Sequence, residues 1–235
     1  MEKEKEIAIL MAAGFGSRMA PLTKKLPKPM VPVLGKPMIE TVIEGLLKRG
    51  VSHIYVVVGY KKEAFEVLKE KYDNLSLIEN TEYEVKNNIS SIYAATDIMG
   101  ECPCFICEAD LYIRDASIFD AALEGSCYYG RFTEGYSDDW VFELDNEGMI
   151  TRVGRGGTDT YNMVGVSYFT KDDAKILSEA IRAAYKKPGH EKLYWDEVVD
   201  ANLDRLRLRI NPVSGEQIVE IDTVDELKTV EDRFG

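Results

Sequence analysis

The chain predicts an α/β fold: a mixed, mainly parallel sheet with helices on both faces and a small β extension in its second half. Three observations carry this. Short apolar runs alternate with helix-periodic stretches through the first half, the pattern of strand–helix–strand units. The second half changes to aromatic and β-branched runs separated by turn residues. The 235 residues, 45% hydrophobic and 30% charged, suit one domain spanning 1–235, because a chain of this length buries roughly 70% of its unfolded surface.

The elements follow in order. Residues 7–11 are continuously apolar, as expected of a strand covered on both faces. Residues 37–49 carry apolar side chains at helical spacing and stop at Gly50, a normal helix terminator. Residues 53–58, 76–79 and 104–108 read as further strands, and 61–72 and 88–99 as the helices between them. In the second half 126–132, 139–144, 149–153 and 163–169 read as antiparallel strands. Asp145-Asn146-Glu147-Gly148 supplies hairpin-turn chemistry, and 155–158 reads as a flexible loop. Helices at 171–187 and 194–202, strands at 206–210 and 219–221, and a closing helix at 223–233 complete the reading.

Composition excludes several functions. A net charge of −12 argues against nucleic acid, which is bound by clustered basic surface, and suits a cationic or metal-bridged small substrate. The mixed-charge start and the early end of the first apolar run leave neither a secretory core nor a membrane span, so a cytoplasmic protein is expected. Cys102, Cys104 and Cys107 share one apolar run whose alternation sends the first two to one face and the third to the other. Together with Cys127 they read as buried free thiols rather than a zinc site. His53 and His190 are the only histidines, which leaves no HxGH and no HExxH motif.

The most informative stretch is 7–37. Behind the first strand, Ala12, Ala13, Gly14, Gly16 and Ser17 are small, so a ligand can approach the backbone. Gly14 and Gly16 can take φ > 0 and turn successive N–H groups toward an anion. Arg18 and Lys28 add positive charge at the same mouth. Met19 stands where a dinucleotide fingerprint needs a third small residue, and Gly35-Lys36-Pro37 breaks a Walker loop. Parallel sheets bind ligands beyond the carboxyl ends of their strands, where Met11-Ala12-Ala13, Val58-Gly59-Tyr60 and Glu108-Ala109-Asp110 lie.

This segment, with Gly14, Gly16, Arg18, Pro21-Leu22-Thr23 and Pro27-Lys28-Pro29, resembles the signature of the sugar-nucleotide type of nucleotidyltransferase. Asp139-Trp140, Leu193-Tyr194-Trp195-Asp196 and Glu220-Ile221-Asp222-Thr223-Val224 extend it to bacterial CTP:phosphocholine cytidylyltransferases over nearly the whole chain. The resemblance implies a Rossmann-like three-layer α/β/α nucleotidyltransferase fold and cytidylyl transfer from CTP to phosphocholine. Such a reaction is carried by positioning and electrostatics. The attacking phosphate, with a second pKa of about 6, needs no general base.

Two acids that end apolar runs, Asp110 and Asp222, match the family's metal-carrying aspartates, and magnesium takes such hard oxygen ligands. Glu220 and Glu108 stand beside them; each of these acids also reads as a solvated strand end. Asn87, Asn88 and Ser90 offer groups to a cytosine edge, while Asn88 equally suits an N-cap. A quaternary ammonium is held by ring faces and carboxylates. Trp140, Tyr194 and Trp195 would form such a cage, with Asp139 and Asp196 balancing the charge, and the alternative for these rings is core packing. The sugar-specific relatives' Glu-Lys-Pro segment is replaced here by Val153-Gly154-Arg155-Gly156-Gly157. Competing readings are a phosphoethanolamine cytidylyltransferase, a sugar-1-phosphate nucleotidyltransferase using UTP, CTP or dTTP, and a catalytically idle nucleotide-binding regulator.

Overall fold

The computed structural model describes residues 4–235. Strand β1 (Ile7–Ala12) leads through the glycine loop to a small hairpin of β2 (Pro32–Val33) and β3 (Lys36–Pro37), then to helix α1 (Met38–Arg49). Next come β4 (His53–Val58), α2 (Glu66–Lys71), β5 (Leu75–Glu79), α3 (Ile89–Ala94) and β6 (Cys104–Glu108), the alternation read from the sequence. After β7 (Leu111–Ile113) the chain forms two long strands, β8 (Cys127–Leu144) and β9 (Ile150–Phe169). Helices α4 (Lys171–Ala184) and α5 (Trp195–Asp200), strands β10 (Arg209–Pro212) and β11 (Ile218–Glu220), and helix α6 (Val224–Phe234) finish it.

Seven strands form one mixed sheet in the order β10-β8-β9-β6-β1-β4-β5. Strands β6, β1, β4 and β5 run parallel, and β9 joins β6 antiparallel. Alternation along β1 explains the layers. Ala8, Leu10 and Ala12 face α1, through Ile39, Val42, Ile43 and Leu46. Ile7 and Ile9 face the other side, where Ile89, Leu177, Ile181, Val198 and Val199 bring in α3, α4 and α5. Cys107 and Cys104 divide between the same two faces, and all four cysteines are free. Strand β6 is therefore the centre of an α/β/α sandwich whose ligand end carries Glu108 and Asp110.

A third apolar cluster matters for the site. Met19, Val31, Val33 and Met38 pack with Ile221, Leu227 and Val230, which docks α6 and the end of β11 against the glycine-loop segment. Among the described residues no helix is long and apolar enough to cross a membrane.

The second half departs from expectation. The four short strands are two long ones, and 155–158, read as a flexible loop, lies within β9: Trp140 pairs with Arg155 and Ser137 with Gly157. The glycines there mark bends rather than mobility. Gly156 has φ 76°, a Cβ at Gly157 would crowd Val141 at 3.0 Å, and the register shifts repeatedly along the pair, the behaviour of a bulged strand. Asp145 makes the expected turn, its side chain accepting from the N–H groups of Glu147 and Met149. The 61–72 helix starts as a 3₁₀ turn (Lys62–Phe65) behind Lys61 at φ 51°, and the 88–99 helix ends in another (Thr96–Ile98). The 206–210 strand begins at Arg209 instead, because Leu206 and Leu208 are spent on the core.

Beneath the sheet Arg49 forks onto Glu6, Nε to Oε2 at 2.7 Å and Nη2 to Oε1 at 2.8 Å, while Nη1 donates to the Phe119 and Ala121 carbonyls. Both side chains are 7% exposed. Removing one partner of a buried pair strands the other, so Glu6→Ala should cost about 3 kcal/mol. A lowered urea midpoint with unchanged slope would show it.

Candidate active site

The loop after β1 is built around Gly16. Its φ of 60° is left-handed, and a Cβ there would fall 2.6 Å from that of Lys28, so glycine lets Lys28 pass directly beneath the loop. Gly14 takes no positive φ and has open space around it; of the two glycines expected to bend the loop, only Gly16 does. The N–H groups of Gly14, Phe15 and Gly16 have no protein acceptor among the described residues. Three free donors on one turn form an anion cradle.

Lys28 lies at the bottom of that cradle, its side chain 7% exposed, with Nζ 2.7 Å from Asp110 Oδ2 and 2.6 Å from Asp222 Oδ1. Arg18 Nη1 reaches the other Asp222 oxygen at 2.7 Å from an exposed position. Four residues from three distant stretches thus meet at one point. Burial alone would lower Lys28, but the Asp110 and Asp222 carboxylates outweigh it and hold the ammonium above its ordinary value. Burial alone would raise Asp222, but Lys28 and Arg18 outweigh it and hold the carboxyl below the usual range.

Around this point opens a cleft of about 320 Å³. Ala12, Ala13, Gly14, Gly16, Arg18, Lys28, Asn87, Asn88, Ser90, Asp110 and Asp222, all read from the sequence as site residues, line it. Two others do not. Ser17 is exposed in the turn beyond the cradle. Gly59 sits behind it, where a Cβ would strike the Tyr83 ring at 2.7 Å, and the next residue's N–H bonds the Ala13 carbonyl at 3.1 Å. Gly59 thus positions the cradle and the Tyr83 wall.

The wall opposite carries residues the sequence reading missed: Asn80, Tyr83 and Lys86. Asn80 is buried and donates to Ser90 Oγ and Ser91 Oγ at 2.9 and 3.2 Å. Asn88 holds the N-cap position without capping; its Oδ1 accepts from the Trp195 N–H at 3.0 Å. Asn87 donates to the Lys192 carbonyl and, through its backbone, to that of Glu191. No motif announces the Asn87 and Asn88 bonds, because they join segments about a hundred residues apart.

The acids outnumber the cations. Crowding by the protein, with Asp222, Asp110 and Asp139 near, pushes Glu220 up to about 7 although it keeps solvent contact. Burial, then Asp110, Glu220 and Asp196, raises Glu108 well above the carboxylate range. Asp110 and Asp222 offer hard oxygens converging on one cationic position, and the described residues hold no group of three or more His, Cys, Asp or Glu suited to a metal. That donor set fits a divalent ion completed by phosphate oxygens and water.

The expected aromatic cage is only partly assembled. Trp140 and Tyr194 meet edge-on with ring centres 5.3 Å apart, and the Arg155 guanidinium stands 5.9 Å from the Trp140 ring. Trp195 is instead core, 3% exposed and packed against Tyr128 and Phe169, because Trp195, Val198 and Val199 form the buried stripe of α5. Asp139 is exposed and accepts from the Trp140 N–H. Neither Asp139, Trp140 nor Tyr194 lines the cleft. Asp196 is 4% exposed, accepts from the Tyr128 hydroxyl at 3.0 Å, and opens with Glu108 onto a small niche beside the cleft.

A parallel sheet ending in a free-N–H cradle, with buried lysine and paired aspartates at its mouth, defines an enzyme that handles activated phosphates. Comparison with known proteins agrees. The family model described as nucleotidyl transferase matches residues 7–125. The 2-aminoethylphosphonate cytidylyltransferase of Lancefieldella rimae is 56% identical over 95% of this chain and 91% of its own. The choline-phosphate cytidylyltransferase of Streptococcus pneumoniae is 31% identical over 96% of each. The solved CTP:phosphocholine cytidylyltransferase of S. pneumoniae superposes with a TM-score of 0.90, covering 98% of this chain and 100% of that one at 31% identity. The chain belongs to the nucleotidyl transferase family and has its Rossmann-like α/β/α fold.

Burial pushes the Asp196 carboxyl up to about 7. A carboxyl raised by folding stabilises most while protonated, and that contribution is lost as pH climbs from its ordinary 3.8 toward about 7. Asp196→Asn cannot ionise, so denaturant titrations across that window should show a flatter stability profile than wild type.

Proposed function

We propose that the protein transfers a cytidylyl group from CTP to a small acceptor with a phosphate or phosphonate at one end and a cationic nitrogen at the other, releasing pyrophosphate. The observation that carries this is the meeting of Asp110 and Asp222 on Lys28, directly under the free N–H groups of Gly14, Phe15 and Gly16. The choice of CTP is supported by two relatives matched over nearly their whole length, both named cytidylyltransferases. Phosphocholine, implied by the sequence resemblance, and 2-aminoethylphosphonate, named for the 56% identical relative, both meet the description of the acceptor.

In this reading the acceptor's phosphoryl oxygen attacks the α-phosphorus of CTP in line. One P–O bond forms there, the α–β bridging P–O bond breaks, and its electron pair leaves on pyrophosphate. No proton has to be removed from a dianionic acceptor. The Gly14–Gly16 N–H groups hold the triphosphate. Lys28 and Arg18 neutralise charge that builds on the leaving group, and fixed donors and cations in a part-closed cleft do this without reorganising. Asn88, Asn87 and Ser90, with Asn80, form the wall for the base. Asp110 and Asp222 would hold magnesium, which when bound supplies further neutralisation of the crowded phosphates. The acidic surroundings, Glu220, Glu108 and Asp139, favour an acceptor that brings positive charge over a neutral sugar.

Pyrophosphate release measured across CTP, UTP and dTTP against phosphocholine, 2-aminoethylphosphonate, phosphoethanolamine and glucose 1-phosphate tests this. Turnover is expected with CTP and the ammonium-bearing acceptors. Turnover confined to UTP or dTTP with glucose 1-phosphate would replace the proposal with a sugar nucleotidyltransferase. Asp110→Asn should lower kcat on the order of 10³-fold at fixed magnesium with an unchanged far-UV spectrum; full activity would remove Asp110 from the metal role.

A further inference from the structure

We infer that Glu108 and Asp196 form the seat for the acceptor's nitrogen, that this seat is built for a primary ammonium rather than a trimethylammonium, and that Glu108 is the residue that sets the preference. The inference rests on the acceptor class proposed above and narrows it to 2-aminoethyl compounds.

Glu108 is an unusual acid. It ends β6 on the floor of the cleft and also lines the adjoining niche, yet no hydrogen bond or ion pair reaches its carboxylate among the described residues. The fold nevertheless makes room for it. Gly165 faces it from β9 at φ +73°, and a Cβ there would lie 2.8 Å from Glu108 Oε2. A side chain at 165 would push the carboxylate out. On the far side of the niche Asp196, nearly fully buried, accepts from the Tyr128 hydroxyl and from its own backbone N–H, both neutral donors. Met11, Met163, Val166, Ser167 and Trp195 supply the remaining wall.

No lysine, arginine or histidine lines the niche, and Lys28, the nearest buried cation, is already shared by Asp110 and Asp222. Two acids facing a pocket that no basic side chain lines offer acceptors to a cation that carries N–H donors, through charge-assisted hydrogen bonds, and the acceptor's nitrogen is the cation the proposed reaction brings. Size then decides its form. The free volume is about 10 Å³, room for a single water-sized group. A primary ammonium is of that size and carries three N–H donors for the oxygens of Glu108, Asp196 and Ser167. A trimethylammonium has no donor, and its methyl groups would have to displace Met163 and the packed Trp195. Because Met11 and Glu108 line both cavities, a short linker suffices to join a nitrogen in the niche to a phosphoryl group beside Lys28.

The test is steady-state kinetics with CTP and magnesium on wild type, Glu108→Gln and Met163→Ala. The acceptors are 2-aminoethylphosphonate, its uncharged analogue 2-hydroxyethylphosphonate, and phosphocholine. Wild type should favour 2-aminoethylphosphonate over both. Glu108→Gln should raise its KM about 10- to 100-fold, the worth of a charge-assisted hydrogen bond, with kcat, the KM for CTP and the use of 2-hydroxyethylphosphonate little changed. Met163→Ala, which widens the niche without touching its charge, should raise kcat/KM for phosphocholine and carries the test if Glu108→Gln does not fold. An equal loss with charged and uncharged acceptors, or wild-type preference for phosphocholine, would overturn the seat while leaving cytidylyl transfer standing. Failure of wild type with every acceptor would instead overturn the function on which it rests.

Discussion

Lys28 Nζ is the point on which the cleft is assembled. Two carboxylates that each touch it cannot be more than about 5 Å apart. At an effective dielectric of about 20 a pair of unit charges at that distance repels by roughly 3 kcal/mol. The ammonium turns this repulsion into attraction, and so ties the end of β6 and the end of β11 to the segment behind the glycine loop. The geometry depends on one missing atom as much as on charge, because Lys28 reaches this place only by passing where a Cβ of Gly16 would be. A glycine, a lysine and two aspartates are therefore one device, and the N–H cradle above them is preorganised before any phosphate arrives.

The same arrangement explains an acidic protein that binds a polyanion. Arg18 and Lys28 are both engaged by Asp222, so the cleft presents little unpaired positive charge to a triphosphate. In the proposed reaction additional cations would enter with the substrates, as a metal ion and as a charged acceptor. Glu108, Glu220 and Asp196, each held above the ordinary carboxylate range in the isolated protein, are groups whose ionised form becomes favourable when such cations are present.

Much of this was legible in the sequence where one side chain sits at one strand end. The parallel half of the sheet, the small-residue loop, Asp110 and Asp222 follow from apolar runs that stop abruptly at polar residues, and Arg18 and Lys28 from the segment that flanks the loop. What failed were inferences from residue type against spacing. Trp195 suggests a cage by its aromatic character, but with Val198 and Val199 it occupies positions i, i+3 and i+4, the stripe a helix turns inward, so its ring packs in the core and reaches only the wall of the niche. Arg155–Thr158 was read as loop for its glycines, although a bent strand in a bulged pair needs glycine too. Gly165 and Glu108, or Asn80 and its serines, are partners by topology, and nothing in the local pattern pairs them.

The structure also joins two sites that the sequence presents separately. Asn88, on the wall assigned to the base, gives its carbonyl oxygen to the N–H of Trp195, while Asn87 holds the carbonyls of Glu191 and Lys192. The segment so held leads directly into Tyr194, Trp195 and Asp196, the start of α5 and one side of the acceptor niche. A base that draws on the amides of Asn87 and Asn88 acts on the same side chains that locate Asp196. The two binding walls are therefore not independent surfaces. They share hydrogen bonds, so in the proposed function whatever orders the nucleotide wall would also set the position of the Asp196 carboxylate.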